Sequence, residues 1–103
     1  MINAQKIGLP VILVENLISI FNRYSSVEQV KLYGSRAKGT FRNGSDVDLT
    51  IIGNVNHNEL LEIEGLIDDL LTPYTYDLSL FSEIENNDLL QHIERVGLPI
   101  YPA

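Results

Sequence analysis

The sequence has no cysteine and no tryptophan, and lysine and arginine together make up only 7 of its 103 residues. Without cysteine there is neither a disulfide framework nor a thiolate ligand for zinc, and the two histidines lie far apart in the sequence. No apolar run is long enough to cross a bilayer, and the N-terminus lacks the basic start and small-residue cleavage site of a secretion signal. We therefore expect a soluble cytoplasmic protein with no structural metal and no membrane contact.

Positive charge is scarce, and this limits the partners that the chain can bind. Fourteen acidic residues give a formal net charge of −7. Phosphate backbones are held mainly by lysine and arginine, so we expect no direct binding of nucleic acid. Three of the basic residues, Arg36, Lys38 and Arg42, lie close together in the sequence. They either meet the phosphates of a single nucleotide or belong to a solvated loop.

The length of 103 residues predicts one domain, residues 1–103, with a single hydrophobic core. We expect such a chain to be too short for a separate substrate-binding domain. Recognition of any second substrate would then come largely from another molecule. Two apolar helices and an apolar C-terminal segment make association with itself or with a partner protein possible.

A strand candidate, Val27 to Tyr33, ends at Gly34, and Ser35 is then placed to cap a short helical turn that runs toward Gly39. Unpaired backbone N–H groups at such a turn attract anions, and a glycine lets a phosphate approach the backbone closely. The Ser35 hydroxyl is a further donor. The alternative is an ordinary turn between a strand and a helix, with a capping serine.

Two carboxylates follow the turn in an alternating pattern. In a strand from Val47 to Ile52, Asp46 and Asp48 project to one face while Val47 and Leu49 project into the core. Two carboxylates this close repel each other, and a hard cation such as Mg²⁺ relieves the repulsion. Taken alone, the Asp-x-Asp pair is also typical of an exposed strand end or a turn.

Together, Gly34-Ser35, Arg36-Ala-Lys-Gly39 and Ser45-Asp-Val-Asp-Leu49 resemble the signature of the nucleotidyltransferase superfamily, which includes the palm of DNA polymerase β. The chain is most similar to the minimal nucleotidyltransferase branch, which it resembles in length and over most of its sequence. The resemblance implies an α+β fold, in which helices pack on a small mixed β-sheet.

The resemblance also implies roles for individual residues. Gly34 and Ser35 would contact a nucleoside triphosphate, with ATP as the default substrate, and Arg36 is predicted beside them at the phosphates. Asp46 and Asp48 would hold Mg²⁺, with two ions expected as in the family, and a third carboxylate would come from a later strand.

Asp77 is the candidate for that third carboxylate. It lies in the segment from Thr75 to Phe81, where Tyr76, Leu78 and Leu80 alternate with polar residues as in a half-buried strand. In the superfamily this residue acts with the first two as a metal ligand and is the usual candidate for general base. The alternative is a solvated residue on an edge strand.

Helices are predicted on either side of these strands. Their expected ranges are Pro10 to Tyr24, Asn56 to Thr72, and a last helix that starts with a Ser82–Glu85 capping box and runs to Val96 before Gly97. Ile100 and Tyr101 are expected as a short apolar tail. His57 and His92 are predicted to be surface or capping residues without a functional role.

The leading functional hypothesis follows from the resemblance. It implies an antitoxin of the HEPN/MNT type, which transfers AMP to a tyrosine of a small helical HEPN partner. One alternative is nucleotidyl transfer to a small hydroxylated molecule, although the chain lacks the extra domain that such a pocket usually needs. Another is a non-catalytic module that only binds its partner, which the intact carboxylates argue against.

Overall fold

The computed structural model describes residues 1–103. Its helices are α1 (Val11–Phe21), α2 (Gly34–Lys38), α3 (His57–Asp68) and α4 (Asn87–Val96), and its strands are β1 (Val27–Tyr33), β2 (Val47–Gly53), β3 (Tyr76–Leu80) and β4 (Leu98–Tyr101), with a short 3₁₀ turn at Phe81–Glu83. The first three strands match the predicted strands closely, because each carries the alternation of apolar and polar residues. No helix combines the length and the apolar character that a bilayer crossing requires.

The four strands form one mixed sheet in the order β3-β2-β1-β4. β1 pairs antiparallel with both β2 and β4, whereas β2 pairs parallel with β3. A parallel pair needs a long crossover, which α3 provides between β2 and β3. The mixed sheet with its four helices confirms the predicted α+β class.

The two faces of the sheet differ in chemistry. Val47, Leu49 and Ile51 are almost completely buried and belong to one core cluster with side chains from the long helices, namely Leu13, Val14, Leu17, Ile20, Phe21, Ile63 and Ile67. The alternate residues of β2, Asp48 and Thr50 among them, point to the opposite face. Burial of the apolar set therefore decides which way Asp48 points, because a slip by one residue would bury the carboxylate in the core.

The predicted start of the last helix was wrong. Ser82 lies in the 3₁₀ turn, and α4 begins only at Asn87, where the Asn86 side chain accepts a hydrogen bond from the Leu89 N–H at 3.1 Å. The chain is extended at Ile84, so the Ser82–Glu85 capping box cannot form.

The segment that was predicted as a short apolar tail forms the fourth strand of the sheet. Gly97 ends α4 as predicted, and its N–H donates to the Ile93 carbonyl at 2.8 Å. The chain then returns as β4 along the open edge of β1, and Ile100 becomes completely buried. The strand was not predicted, because a segment of four residues that includes a proline shows too little alternation of apolar and polar residues to indicate a strand.

The other helix boundaries follow local chemistry. α1 has Pro10 at its N-cap and ends at Phe21, before the predicted Tyr24. α3 starts directly after its N-cap Asn56, as predicted. Asn56 forms a capping box with Glu59. That helix ends at Asp68, before the predicted stop at Thr72.

Candidate active site

Asp48 and Asp77 lie side by side on neighbouring strands. They are register partners in the parallel pairing of β2 with β3, and alternation places both on the face of the sheet that is opposite to α1 and α3. Asp46 is exposed and stands just before β2, two positions from Asp48. The fold therefore brings together the three carboxylates that the sequence singled out.

The three carboxylates influence one another electrostatically. Burial raises the pKa of Asp48 above its ordinary value of 3.8, and the negative charges of Asp77 and Asp46 raise it further, while His92 acts in the opposite direction. The one side-chain ion pair of the chain joins His57 and Glu83, so no lysine or arginine forms an ion pair with these acids. A negative cluster without an internal counter-ion is suited to a cation from solution.

The donor set fits Mg²⁺ in its chemistry, since this ion prefers oxygen ligands and is often held by one or two carboxylates together with substrate phosphates. No three histidine, cysteine or acidic side chains of the chain are arranged as ligands around a common point. The structure thus holds Asp46, Asp48 and Asp77 as neighbours but does not gather them around one ion.

The Gly34 turn lies directly against the Asp48 carboxylate. Gly34 has a φ of +75°, and a Cβ added there would collide with Oδ2 of Asp48. Glycine is therefore required at this position both by the backbone conformation and by the carboxylate. The two halves of the sequence motif meet at this contact.

The Gly34 N–H is already paired. It donates to Nε2 of His92 at 3.0 Å, so it is not one of the unpaired N–H groups of the turn. The predicted capping role of Ser35 was wrong, because α2 already begins at Gly34, with Tyr33 at its N-cap and no side chain as a cap. Ser35 itself is partly exposed beside the turn. The short helix ends at Gly39, as predicted, with a φ of +80°.

Arg36 is buried, and its guanidinium points away from the carboxylates. Only 3% of the residue is exposed. Its Nη1 donates to the carbonyls of Ile7 and Gly8 at 3.0 and 3.1 Å, and its Nη2 donates to the carbonyl of Ser45 at 2.9 Å. Three of the five N–H donors are thus paired within the protein, and Nε is buried without a partner. This burial argues against the predicted contact between Arg36 and the nucleotide phosphates.

Two aromatic rings also contact this guanidinium. Its central carbon lies 5.2 Å from the centre of the Phe41 ring and 5.3 Å from that of Tyr74, within the range of cation–π attraction. Lys38 and Arg42, the other basic residues of the motif, are exposed. Arg36 therefore ties the N-terminal segment, the motif loop and the approach to β3 together.

A comparison with known protein families assigns this chain to a family. The profile of the family described as Polymerase beta, Nucleotidyltransferase matches residues 15–103. This chain belongs to that family. No curated protein matches the chain.

Solved structures with the same fold come from toxin–antitoxin complexes. A crystal structure of a toxin–antitoxin with AMP-PNP matches at a TM-score of 0.70 and 17% identity, over 87% of this chain and 73% of that chain. An MntA–HepT toxin–antitoxin matches at 0.65 and 14%, over 91% and 74%. The tri-AMPylated HEPN toxin of Shewanella oneidensis in complex with its MNT antitoxin matches at 0.63 and 14%, over 89% and 71%. At these identities the similarity establishes the fold of the nucleotidyltransferase domain.

Two residues that lie near the carboxylates of this nucleotidyltransferase domain were not predicted as part of the site from the sequence. Tyr33 is the register partner of Asp48 on β1, and burial raises the pKa of its hydroxyl, as do Asp77 and Asp48, whereas a hydrogen bond with Ser79 lowers it. The alternation of β1 could have placed Tyr33 on this face. His92 carries no such signal, because 58 positions separate it from Gly34.

His57, in contrast, lies on the surface as predicted, with 71% of its side chain exposed and Nε2 located 2.7 Å from Glu83.

A cavity of about 360 Å³ borders one of the carboxylates. Its lining comes from α3 and β3 and consists of Glu64, Ile67, Asp68, Tyr76, Asp77 and Leu78. Asp46 and Asp48 do not belong to it. The cavity therefore lies beside the three acids on the side of Asp77, at the free edge of β3.

Proposed function

We propose that this nucleotidyltransferase domain transfers AMP from ATP to a tyrosine hydroxyl of a HEPN-type partner protein and so acts as an antitoxin. The observation that carries the proposal is the in-register pairing of Asp48 with Asp77, with Asp46 and the Gly34 turn beside them. Membership of the family supports the reaction class. The structural similarity to complexes of HEPN toxins supports the choice of partner.

Each carboxylate has a role in this proposal. Asp46, Asp48 and Asp77 would hold Mg²⁺, and the Gly34-Ser35 turn would contact the triphosphate next to them. Mg²⁺ bound there would neutralise negative charge on the triphosphate and on the departing pyrophosphate. The unneutralised acids and the raised pKa of Asp48 support a cation at this site, because its positive charge would favour the ionised carboxylates.

The reaction is a substitution at phosphorus. The acceptor hydroxyl oxygen forms a bond to the α-phosphorus, and the bond from that phosphorus to the bridging oxygen of the β-phosphate breaks, so that pyrophosphate leaves. Asp77 would take the proton of the attacking hydroxyl. It is exposed at the start of the edge strand β3, where a second molecule can reach it.

The choice of acceptor rests on the structural neighbours. One of them is a HEPN toxin that carries AMP groups and is in complex with an MNT antitoxin. Another toxin–antitoxin structure contains AMP-PNP. The same type of nucleotide and the same type of partner are proposed here on the basis of the shared fold.

A transfer assay tests the proposal directly. The chain is purified with the product of the neighbouring gene, which the proposal expects to be a HEPN-type protein, and incorporation of labelled AMP from ATP with Mg²⁺ is measured for wild type and Asp48→Asn. We expect a loss of at least about a hundredfold in the variant, because the loss of one carboxylate weakens both metal binding and charge compensation. Asp69→Asn, at an exposed position of the C-terminal end of α3, is the matched control and should keep wild-type activity.

Equal incorporation by wild type and Asp48→Asn would contradict the proposal. If neither protein transfers AMP, thermal unfolding in the presence of Mg²⁺ and ATP distinguishes the remaining possibilities. A rise in melting temperature for wild type but not for Asp48→Asn would indicate a nucleotide-binding module, and no rise for either would indicate a domain that acts by covering its partner.

A further inference from the structure

His92 connects the last long helix to the motif turn. It lies on α4, and its Nε2 accepts the hydrogen bond from the Gly34 N–H at 3.0 Å. Its ring also meets the Tyr33 ring edge-on, with 6.2 Å between the ring centres and 80° between the ring planes. The imidazole therefore makes one polar contact and one aromatic contact at the junction between β1 and α2.

The polar contact bears directly on the position of the carboxylate. Gly34 holds a positive φ of +75°, and its Cα leaves no room for a side chain beneath Oδ2 of Asp48. A rotation of the peptide group at Gly34 would change this contact. Such a rotation would also break the hydrogen bond from the Gly34 N–H to His92.

The direction of this hydrogen bond determines which tautomer is present. The backbone N–H is the donor, so Nε2 must be the acceptor and the proton of the neutral imidazole lies on Nδ1. His57, the only other histidine, has no comparable contact with the backbone and pairs instead with Glu83 on the surface. The chain thus contains an internal control for the loss of an imidazole.

We propose that His92 is a positioning residue for nucleotidyl transfer, and that it acts by holding the Gly34 turn against the Asp48 carboxylate through the acceptor Nε2. The inference rests on the proposed function for its activity readout. His92 forms no hydrogen bond with the carboxylates and, in this scheme, does not touch the substrate. Residues that orient a functional group through one hydrogen bond typically contribute about ten- to a hundredfold to activity.

Two substitutions separate the hydrogen bond from the packing of the ring. His92→Phe keeps an aromatic ring against Tyr33 but has no acceptor for the Gly34 N–H. His92→Gln loses the ring, but its side-chain amide oxygen lies at about the reach of Nε2 and can accept the bond. The positioning role predicts that Phe lowers kcat/KM for ATP by about ten- to a hundredfold and that Gln restores most of it. A role in packing alone predicts the reverse order.

The experiment measures kcat/KM for ATP and the melting temperature of wild type, both variants and the control His57→Phe, in complex with the partner protein. The control should match wild type, because His57 is exposed. All assays are run well below the lowest melting temperature, so that differences in folded fraction do not contribute. Wild-type activity in His92→Phe, or loss in His92→Gln equal to that in His92→Phe, would overturn the positioning role.

Failure of the proposed function gives a different result. In that case wild type itself transfers no AMP, and the rise in melting temperature with Mg²⁺ and ATP replaces the activity as the readout. The positioning role then predicts a smaller rise for Phe than for Gln and wild type. An equal rise in all three proteins, or no rise in any, would overturn it.

Discussion

Arg36 and Asp48 stand in the same motif and carry opposite charges, yet the fold surrounds them in opposite ways. Arg36 is 3% exposed, its terminal nitrogens donate to three backbone carbonyls, and two aromatic rings contact its guanidinium. Asp48 is only half-buried, and its charged neighbours include two more carboxylates. The arginine is thus paired with backbone carbonyls inside the protein, whereas the aspartate has other carboxylates as charged neighbours.

The difference separates a charge that is paired inside the protein from one that has like charges around it. A buried cation that donates to backbone carbonyls satisfies those acceptors, and removing it leaves the carbonyls unpaired at a cost to the folded state. A carboxylate beside other carboxylates weakens the folded state until a cation arrives. The motif and its family resemblance had assigned Arg36 and the three acids to one site. In the fold, their surroundings are different.

The largest expected effect is the loss of stability in Arg36→Met. Methionine fills part of the volume but cannot donate to the carbonyls of Ile7, Gly8 and Ser45, so we expect the free energy of unfolding to fall by about 1 to 3 kcal/mol. Denaturant unfolding measures the change. Arg42→Met, at an exposed position of the same loop, should remain within about 0.5 kcal/mol of wild type.

This pair of variants also tests the predicted phosphate contact of Arg36. If Arg36→Met kept wild-type stability but raised the KM for ATP, the guanidinium would contact the nucleotide. The contrast drawn between Arg36 and Asp48 would then be wrong.

A smaller effect is expected from the ring that flanks Arg36. Tyr74→Leu removes the aromatic face 5.3 Å from the guanidinium carbon, and we expect a loss of about 1 kcal/mol in the free energy of unfolding. Tyr74→Phe keeps the ring and should lose less than about 0.5 kcal/mol. Equal losses in the two variants would mean that the hydroxyl rather than the ring matters. Thermal or denaturant unfolding is sufficient for this measurement.

The smallest expected effect on stability concerns Asp48→Asn and depends on pH. The pKa of Asp48 is raised in the folded chain above the ordinary value of 3.8 that applies to the unfolded chain. Ionisation of this group therefore favours unfolding as the pH rises through the interval above 3.8. Asparagine does not ionise, so we expect the variant to be slightly more stable than wild type near neutral pH, by less than about 1 kcal/mol. The two proteins should converge as the pH falls.

Melting temperatures of wild type and Asp48→Asn between about pH 4 and 8 measure this difference. Mg²⁺ should raise the melting temperature of wild type more than that of the variant, because the ion compensates the acids that repel each other. Asp69→Asn again serves as the control. A variant that is less stable than wild type at neutral pH, without Mg²⁺, would show that the Asp48 carboxylate stabilises the fold after all.

Features with a local pattern were predictable from the sequence. The alternation around Leu49 and Leu78 placed β2 and β3, and it put Asp48 and Asp77 on faces opposite to the apolar side chains. The glycine at the end of β1 marked the turn correctly, since its positive φ excludes most other residues. Each of these predictions depends only on residues a few positions apart.

Features that depend on distant residues were not predictable in this way. Arg36 reaches carbonyls up to 29 positions away, and His92 meets Gly34 across 58 positions. β4 has too short a pattern to indicate a strand, and only the open edge of β1 makes it one. A pattern of neighbouring residues contains no information about which distant group will accept or donate a hydrogen bond.

By itself, the sequence determined the position of the motif, the alternation of its strands and the face on which each acid lies, because apolar side chains must be buried and alternate residues point in opposite directions. Only the tertiary structure decided that Asp77 stands next to Asp48, that Arg36 turns inward, and that His92 accepts a hydrogen bond from Gly34. The physical reason is that burial patterns act locally along the chain, whereas charges and hydrogen-bonding groups take whichever partners the packed fold brings within reach.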